Sequence, residues 1–204
     1  MSGKITVRSI VEKAPEGSMF ITSDFAGCGS GESVRKFLSR MVTSGELETP
    51  MRGMYRKSKT STFLGVNVPA RPDEVAVTLA RKFGWNVAPC GDTALNRLGL
   101  DTQVPVTYEY VSDGPYRTYA YGNYEIVFRH TANRDLSKMS PATATVVQAL
   151  KALGRDRVDE KVLEAIASRF DGEQLGKMRE ESSIATSWVR EAIVEMTKGD
   201  VAHA

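Results

Sequence analysis

The sequence has 204 residues, of which 41% are hydrophobic and 25% charged, so it has room for two domains of ordinary globular composition and does not resemble a disordered or fibrous chain. Two cysteines and two histidines give no disulfide framework and no histidine-based metal site, and no apolar run approaches the roughly 20 residues of a membrane helix. The net charge of +2 hides an asymmetry, because residues 1–60 carry ten Lys/Arg against six Asp/Glu and the remainder is slightly acidic. A local excess of this kind is what phosphate binding requires.

The chain is predicted to begin with a helix over residues 2–13, followed by a break at Pro15. Its expected buried residues are Ile5, Ile10 and Val11. The same segment lacks the apolar core of a signal peptide, so we expect a cytoplasmic protein.

Residues 20–25 are predicted to start a short helix, and the Gly-rich residues 26–31 to form a turn. Residues 33–41 form an amphipathic helix, which Gly45 ends. Its apolar residues have the spacing of one helical face: Val34, Phe37, Leu38 and Met41. The opposite face carries the polar and cationic side chains that can enter a DNA major groove: Arg35, Lys36, Ser39 and Arg40.

Residues 46–49 and 54–57 are predicted as two short strands, with Arg52 at the tip of the loop between them. We interpret this hairpin and the two preceding helices as the second half of a winged helix-turn-helix. A basic helix face is more often only a solvated surface, but the hairpin with its basic tip favours DNA binding. The candidate DNA-contacting residues are Ser30, Ser33, Arg35, Lys36, Ser39, Arg40, Arg52, Arg56 and Lys57.

A polar linker over residues 58–62 is predicted to precede a second domain. Its expected helices are residues 75–83 and 93–98, and its expected strands are residues 85–88, 104–111, 117–121 and 124–129. Gly122 and Asn123 are a strong signal for a tight hairpin. Further helices are predicted over residues 142–153, 158–170 and 184–197, whereas the charged residues 171–181 give a weaker pattern.

The predicted fold class is α+β. It comprises an N-terminal winged helix-turn-helix over residues 1–60, a mixed α/β domain over residues 63–136, and a helical C-terminal region over residues 137–204 that packs on the second domain.

Other chemistries have weaker support in the sequence. Residues 27–33 suggest a phosphate-binding loop, but Glu32 stands where that motif needs lysine. The carboxylates of Asp73 and Glu74 are better explained as helix N-terminal acids than as a catalytic pair. Six tyrosines between residues 108 and 124 can stack on bases, although cross-strand packing explains them more simply. We therefore expect no enzyme, no metal and no cofactor.

Residues 19–170 resemble the AbiEi-like antitoxins of type IV toxin–antitoxin systems, which begin with a winged helix. In the N-terminal part the resemblance is carried by FITSD (20–24), GS (29–30), VRKFLSR (34–40), GEL (45–47) and RGMY (52–55). In the second domain it is carried by RKFGW (81–85), GDTALNRLGL (91–100), TQVP (102–105) and SDGP (112–115). Residues 171–204 have no such counterpart.

The resemblance implies a transcriptional repressor that binds double-stranded DNA at its own promoter. It also implies an antitoxin that counters a nucleotidyltransferase-like toxin, with no direct contact between the two required. A homodimer on an inverted repeat is the expected DNA-bound form. The alternative is a protein-interaction module that binds a toxin or other partner directly, without specific DNA binding.

Overall fold

The computed structural model describes residues 6–131 and 136–198. These residues contain eight α-helices and two small sheets, which confirms the α+β class. The chain divides into two compact units, Met1–Gly84 and Trp85–Ala204. Ile5, His203 and the predicted start of the first helix lie outside the described residues. No described helix is long and apolar enough to cross a membrane.

From residue 6 onward, where its description begins, the first unit contains three helices and a three-stranded antiparallel sheet of order β1-β3-β2. Its elements are α1 (Val7–Lys13), β1 (Met19–Ile21), a 3₁₀ turn (Thr22–Phe25), α2 (Gly31–Thr43), β2 (Leu47–Glu48), β3 (Met54–Lys57) and α3 (Pro72–Phe83). The prediction of a helix start at residue 20 is wrong, because Phe20 and Ile21 belong to β1. Main-chain pairing of Phe20 with Tyr55 explains this difference, since a three-residue strand depends on a distant partner.

The core of the first unit lies beneath α2. Ser30 begins this helix, its hydroxyl accepting a hydrogen bond from the Ser33 amide at 3.2 Å. Three residues of one helical face are buried: Val34, Leu38 and Met41. They pack against α1, β1, the 3₁₀ turn and β2 through Val7, Val11, Phe20, Phe25 and Leu47. This packing holds the opposite face of α2 in solvent.

The basic C-terminal turn of helix α3 binds β1 and the 3₁₀ turn of the same unit. The Arg81 guanidinium donates to the Met19 carbonyl at 3.0 Å and to the Asp24 carboxylate at 2.9 Å. Asp24 also accepts from the Ile21 amide at 2.8 Å. The sequence assigned this helix to a second domain, whereas it packs on the first sheet. The charged contacts that hold it there join residues about sixty positions apart, so no local signal indicates them.

The second unit has a four-stranded sheet of order β4-β5-β7-β6 and five helices among its described residues. Its strands are β4 (Val87–Pro89), β5 (Thr107–Ser112), β6 (Arg117–Tyr121) and β7 (Tyr124–His130). Its helices are α4 (Gly91–Arg97), α5 (Pro141–Leu153), α6 (Glu160–Ala167), α7 (Gly172–Glu181) and α8 (Ser187–Met196). The predicted β6–β7 hairpin is confirmed, with Tyr121 paired to Tyr124. Strands β5 and β7 pair in parallel, which the sequence did not indicate.

The five helices of the second unit share an apolar core that includes Leu150, Ile166 and Ile193, all fully buried. Glu181, at the end of α7, joins this core to the start of α5. Its carboxylate accepts from the Ser140 amide and hydroxyl, each at 2.8 Å, and from the Thr143 hydroxyl. Although burial opposes ionisation, these hydrogen bonds hold the pKa of Glu181 below its usual range.

Candidate nucleic-acid interface

The outward face of α2 carries the polar side chains that the sequence singled out. Arg35, Lys36, Ser39 and Arg40 are all exposed. At about 3.6 residues per turn, Arg35 and Arg40 lie about 140° apart around the helix axis, so they stand on opposite flanks of this face. Neither guanidinium forms an ion pair with a side chain in residues 6–131 or 136–198. Both are available to phosphates or base edges.

Lys36 is the one cation of this face that already has a partner within the described residues. Its ammonium lies 2.9 Å from the Glu32 carboxylate one turn earlier, and both side chains are about 70% exposed (69% and 71%). An ion pair this exposed contributes little to stability. Its larger effect is to place a negative charge near the N-terminus of α2, where a phosphate would otherwise be attracted.

Ser30 and Ser33 lie together at the N-terminus of α2, with their hydroxyl oxygens 3.0 Å apart. Both residues are exposed. The Ser30 hydroxyl already accepts from the Ser33 amide, so its first function is to cap the helix. One of the two hydroxyls donates to the other, and the one that accepts keeps its own proton for a phosphate oxygen.

The loop between β2 and β3 places Arg52 at an exposed tip, as the sequence predicted. The next residue, Gly53, has a φ of +77°, a backbone conformation that favours glycine. From α3, the Lys82 ammonium donates to the Arg52 carbonyl at 2.8 Å. The loop backbone is therefore held from beneath while the Arg52 guanidinium points into solvent.

Arg56 lies inside the first unit and not on its surface. Its side chain is only 2% exposed. One guanidinium nitrogen donates to the Glu48 carboxylate at 2.6 Å and to the Val68 carbonyl at 2.5 Å, and the other lies 3.9 Å from Glu74. The side chain thus joins β3, β2 and the segment that leads into α3. A phosphate cannot reach this guanidinium while the fold is intact.

Lys57 is committed to the end of α1. Its ammonium donates to the carbonyls of Glu12 and Ala14, at 2.9 and 2.7 Å. These oxygens lie at the C-terminus of α1, where a cation satisfies acceptors that the helix leaves open. The side chain is half-buried, so it fixes α1 to β3.

The structure therefore separates the nine predicted contacts into two sets. Seven are exposed, on α2 and on the β2–β3 loop: Ser30, Ser33, Arg35, Lys36, Ser39, Arg40 and Arg52. Arg56 and Lys57 serve the interior and the end of α1. A signal for Arg56 was present in the sequence, because alternate strand residues share a face and Met54 is an apolar residue two positions earlier.

No group of three or more metal-ligating side chains comes together within residues 6–131 and 136–198. Cys28 is half-buried and Cys90 is buried, and both are free thiols. Burial and the nearby carboxylate of Glu109 raise the pKa of the Cys90 thiol to about 11. It is therefore protonated at neutral pH and a weak nucleophile.

A family of unknown function, DUF6088, has a model that matches residues 6–178. The chain belongs to the DUF6088 family. No curated protein matches it. Among solved structures, the crystal structure of the RV2827C protein from Mycobacterium tuberculosis aligns with it at 15% sequence identity and a TM-score of 0.40, over 95% of this chain and 75% of that chain. A likeness at this level carries no argument about fold or function.

Proposed function

We propose that residues 6–57 of this DUF6088 protein form a winged helix-turn-helix and that the protein is a DNA-binding repressor of its own operon. The support for the winged helix is the order of elements. A helix, a strand, a helical turn, a second helix and a two-stranded hairpin follow one another, and the three strands form one antiparallel sheet. In such a module α2 enters the major groove and the β2–β3 loop is the wing.

The observation that carries the DNA-binding proposal is the exposed face of α2. Arg35 and Arg40 stand unpaired among the described residues on its two flanks, with Ser39 between them. Bidentate arginine contacts to guanine are the commonest specific contacts in the major groove. Arg52 on the wing adds a phosphate or minor-groove contact. One such module makes few contacts, so we propose that two copies bind an inverted repeat.

The decisive experiment is a gel shift of the purified protein on its own upstream DNA and on a scrambled fragment, at two salt concentrations. We expect the upstream fragment to shift at lower protein concentration, with affinity falling as salt rises. Equal shifts of both fragments would reduce the module to a nonspecific binder. The absence of any shift would favour the alternative, a protein-interaction module, and a salt-resistant complex with the neighbouring gene product would then support it.

Substitutions on α2 locate the interface. Arg40→Ala should weaken binding to the upstream fragment by about tenfold and reduce its preference over scrambled DNA, since a good base contact contributes roughly 1–3 kcal/mol. Arg52→Ala should weaken both fragments alike and flatten the salt dependence. The matched control is Arg190→Ala, an exposed arginine on α8, which should change neither quantity. If Arg40→Ala behaves like this control, α2 is not the recognition helix.

The antitoxin role is a second part of the proposal and depends on the resemblance to the AbiEi-like antitoxins. It predicts that co-expression of the full chain relieves growth arrest caused by a nucleotidyltransferase-like toxin encoded beside it. Arg40→Ala should retain this relief if the role is separate from DNA binding. Growth arrest that persists despite normal levels of the full chain would remove the antitoxin role and leave the repressor proposal standing.

A further inference from the structure

The segment between β3 and α3 forms a second small hairpin with an apolar tip. The Val68 amide donates to the Lys59 carbonyl at 2.8 Å, the Ser61 amide to the Val66 carbonyl at 2.9 Å, and Thr60 pairs with Asn67. At the tip, Phe63 is 93% exposed, Leu64 67% and Val66 54%. We call residues 59–68 the apolar hairpin.

The apolar hairpin is anchored at its base to the proposed wing. The Asn67 side chain donates to Glu48 of β2 at 2.6 Å, and the Val68 carbonyl accepts from buried Arg56 of β3. Just before the hairpin, the Ser58 hydroxyl donates to the Gly45 carbonyl beyond the end of α2 at 3.1 Å. The hairpin is thus a fixed extension of the proposed DNA-binding module. Because the Asn67 side chain reaches β2, the Thr60–Asn67 pair lies beside the sheet, and only the tip residues extend beyond it.

The charge of this region indicates a polyanionic partner. No Asp or Glu occurs between Glu48 and Asp73. Of the five Lys/Arg residues in the same stretch, Arg56 and Lys57 are bound within the fold. The other three are exposed: Arg52, Lys59 and Arg71. Lys59, at the hairpin base, is exposed and forms no ion pair with the described part of the chain. Hydroxyl side chains at residues 60, 61 and 62 add donors for phosphate oxygens.

The size of the tip argues against a second copy of the chain as the partner. Three exposed side chains offer on the order of 400 Å² of apolar surface. A stable protein interface buries about 800 Å² on each partner. A narrow apolar tip on a cationic base matches instead the wedges that minor-groove proteins insert between base steps, where Phe and Leu are common.

We propose that the apolar hairpin is a second DNA contact, in which Phe63 and Leu64 insert at a minor-groove base step while Lys59 holds the adjacent phosphate. This inference rests on the proposed DNA binding and adds how that DNA is deformed. Partial unstacking at the step bends the duplex.

The test compares Phe63→Ala, Phe63→Tyr and the wild type on a fragment of the gene's own upstream DNA with a fluorophore at each end. Phe63→Ala should bind about tenfold more weakly, because stacking of one aromatic ring on a base typically changes affinity by between fivefold and a hundredfold. The slope of log affinity against log salt should stay unchanged, since no phosphate contact is removed. Energy transfer between the DNA ends should fall towards that of free DNA. Phe63→Tyr keeps the ring and should retain affinity and bending.

Two controls make the outcomes separable. Tyr116→Ala removes an exposed aromatic ring from the second unit (61% exposed) and should leave affinity and bending unchanged. Because Phe63 makes little contact with the fold, Phe63→Ala should melt at the wild-type temperature. If the wild type bound DNA and Phe63→Ala bound and bent it equally well, the hairpin contact would be overturned and the repressor proposal would remain intact. If the wild type did not bind DNA, both the hairpin contact and the repressor proposal would be overturned. If the wild type were a dimer and Phe63→Ala a monomer, the hairpin would be a protein contact and not a DNA contact.

Discussion

Replacing Arg56 with alanine should destabilise the first unit. The substitution removes the hydrogen bonds to Glu48 at 2.6 Å and to the Val68 carbonyl at 2.5 Å, and the weaker ion pair with Glu74 at 3.9 Å. It leaves the carboxylates of Glu48 and Glu74 without this partner, although their side chains are only 24% and 30% exposed. Removing one partner of a fully buried ion pair costs about 3–5 kcal/mol. Here Asn67 and Arg71 still donate to these carboxylates, so we expect about 3 kcal/mol, at the lower end of that range.

A loss of this size is a large part of the stability of such a unit. A domain of about 80 residues has a free energy of unfolding of roughly 4–12 kcal/mol. The apparent Tm of the first unit should fall by about 12–24 °C, since 1 kcal/mol shifts a small domain by about 4–8 °C. Urea unfolding followed by circular dichroism measures the change in the free energy of unfolding, and the slope of the transition checks its cooperativity.

Arg52→Ala is the matched control, because the arginine belongs to the same β2–β3 hairpin but is exposed. Its free energy of unfolding should stay within about 0.5 kcal/mol of the wild type. The opposite pattern would contradict a buried, stabilising Arg56: an Arg56→Ala variant as stable as Arg52→Ala that nonetheless lost affinity for DNA would make Arg56 a DNA contact.

Three further predictions follow from individual contacts. Glu32→Gln should raise DNA affinity about threefold and steepen the salt dependence by about one unit, because it frees Lys36, with which Glu32 pairs. Fluorescence anisotropy at several salt concentrations measures both quantities. Weaker binding would contradict the proposed approach of phosphate to α2. Glu181→Gln should lower stability by about 1 kcal/mol at pH 7 by weakening charge-assisted hydrogen bonds. Because the pKa of folded Glu181 is depressed, this difference should be fully present above about pH 4.3 and vanish as the pH falls through the folded-state value; a difference in urea stability that persists in acid would contradict it. Gly114→Ala should destabilise the second unit by about 1–3 kcal/mol, since the added Cβ would lie 2.4 Å from the indole ring of Trp85. Its control is Gly176→Ala, which has open space around it and should leave the thermal melting temperature unchanged or higher.

Local signals allowed the sequence to predict the elements that carry the proposed interface. The apolar spacing from Val34 to Met41 predicts α2, and its flanking caps extend it to Gly31–Thr43. Gly122 and Asn123 predict the turn between β6 and β7. In each case the signal and the structure that it specifies lie within a few residues of each other.

The elements that the sequence missed depend on distant partners. Strand β1 has three residues and exists through its pairing with β3, from Met19 with Arg56 to Ile21 with Met54. Parallel pairing of β5 with β7 joins strands separated by β6, and no turn sequence encodes it. Helix α7 is different, since the mutual hydrogen bonds of Asp171 and Gln174 are a local capping signal that a charged sequence concealed.

The burial of Arg56 and the commitment of Lys57 change what the charge of the first sixty residues means. Ten cations suggest a strongly electrostatic DNA-binding surface, yet two of the nine predicted contacts stabilise the fold instead. Among those nine residues, the cations left exposed on α2 and the β2–β3 loop are Arg35, Lys36, Arg40 and Arg52. Lys36 is already paired with Glu32, so if each of the three arginines neutralised one phosphate, the salt dependence of one copy would have a slope of about −2.7. A dimer on an inverted repeat would have a slope of about −5, so the measured slope distinguishes one bound copy from two. A repressor with so few contacts per copy needs the second copy for specificity, and a minor-groove wedge would add affinity that salt does not weaken.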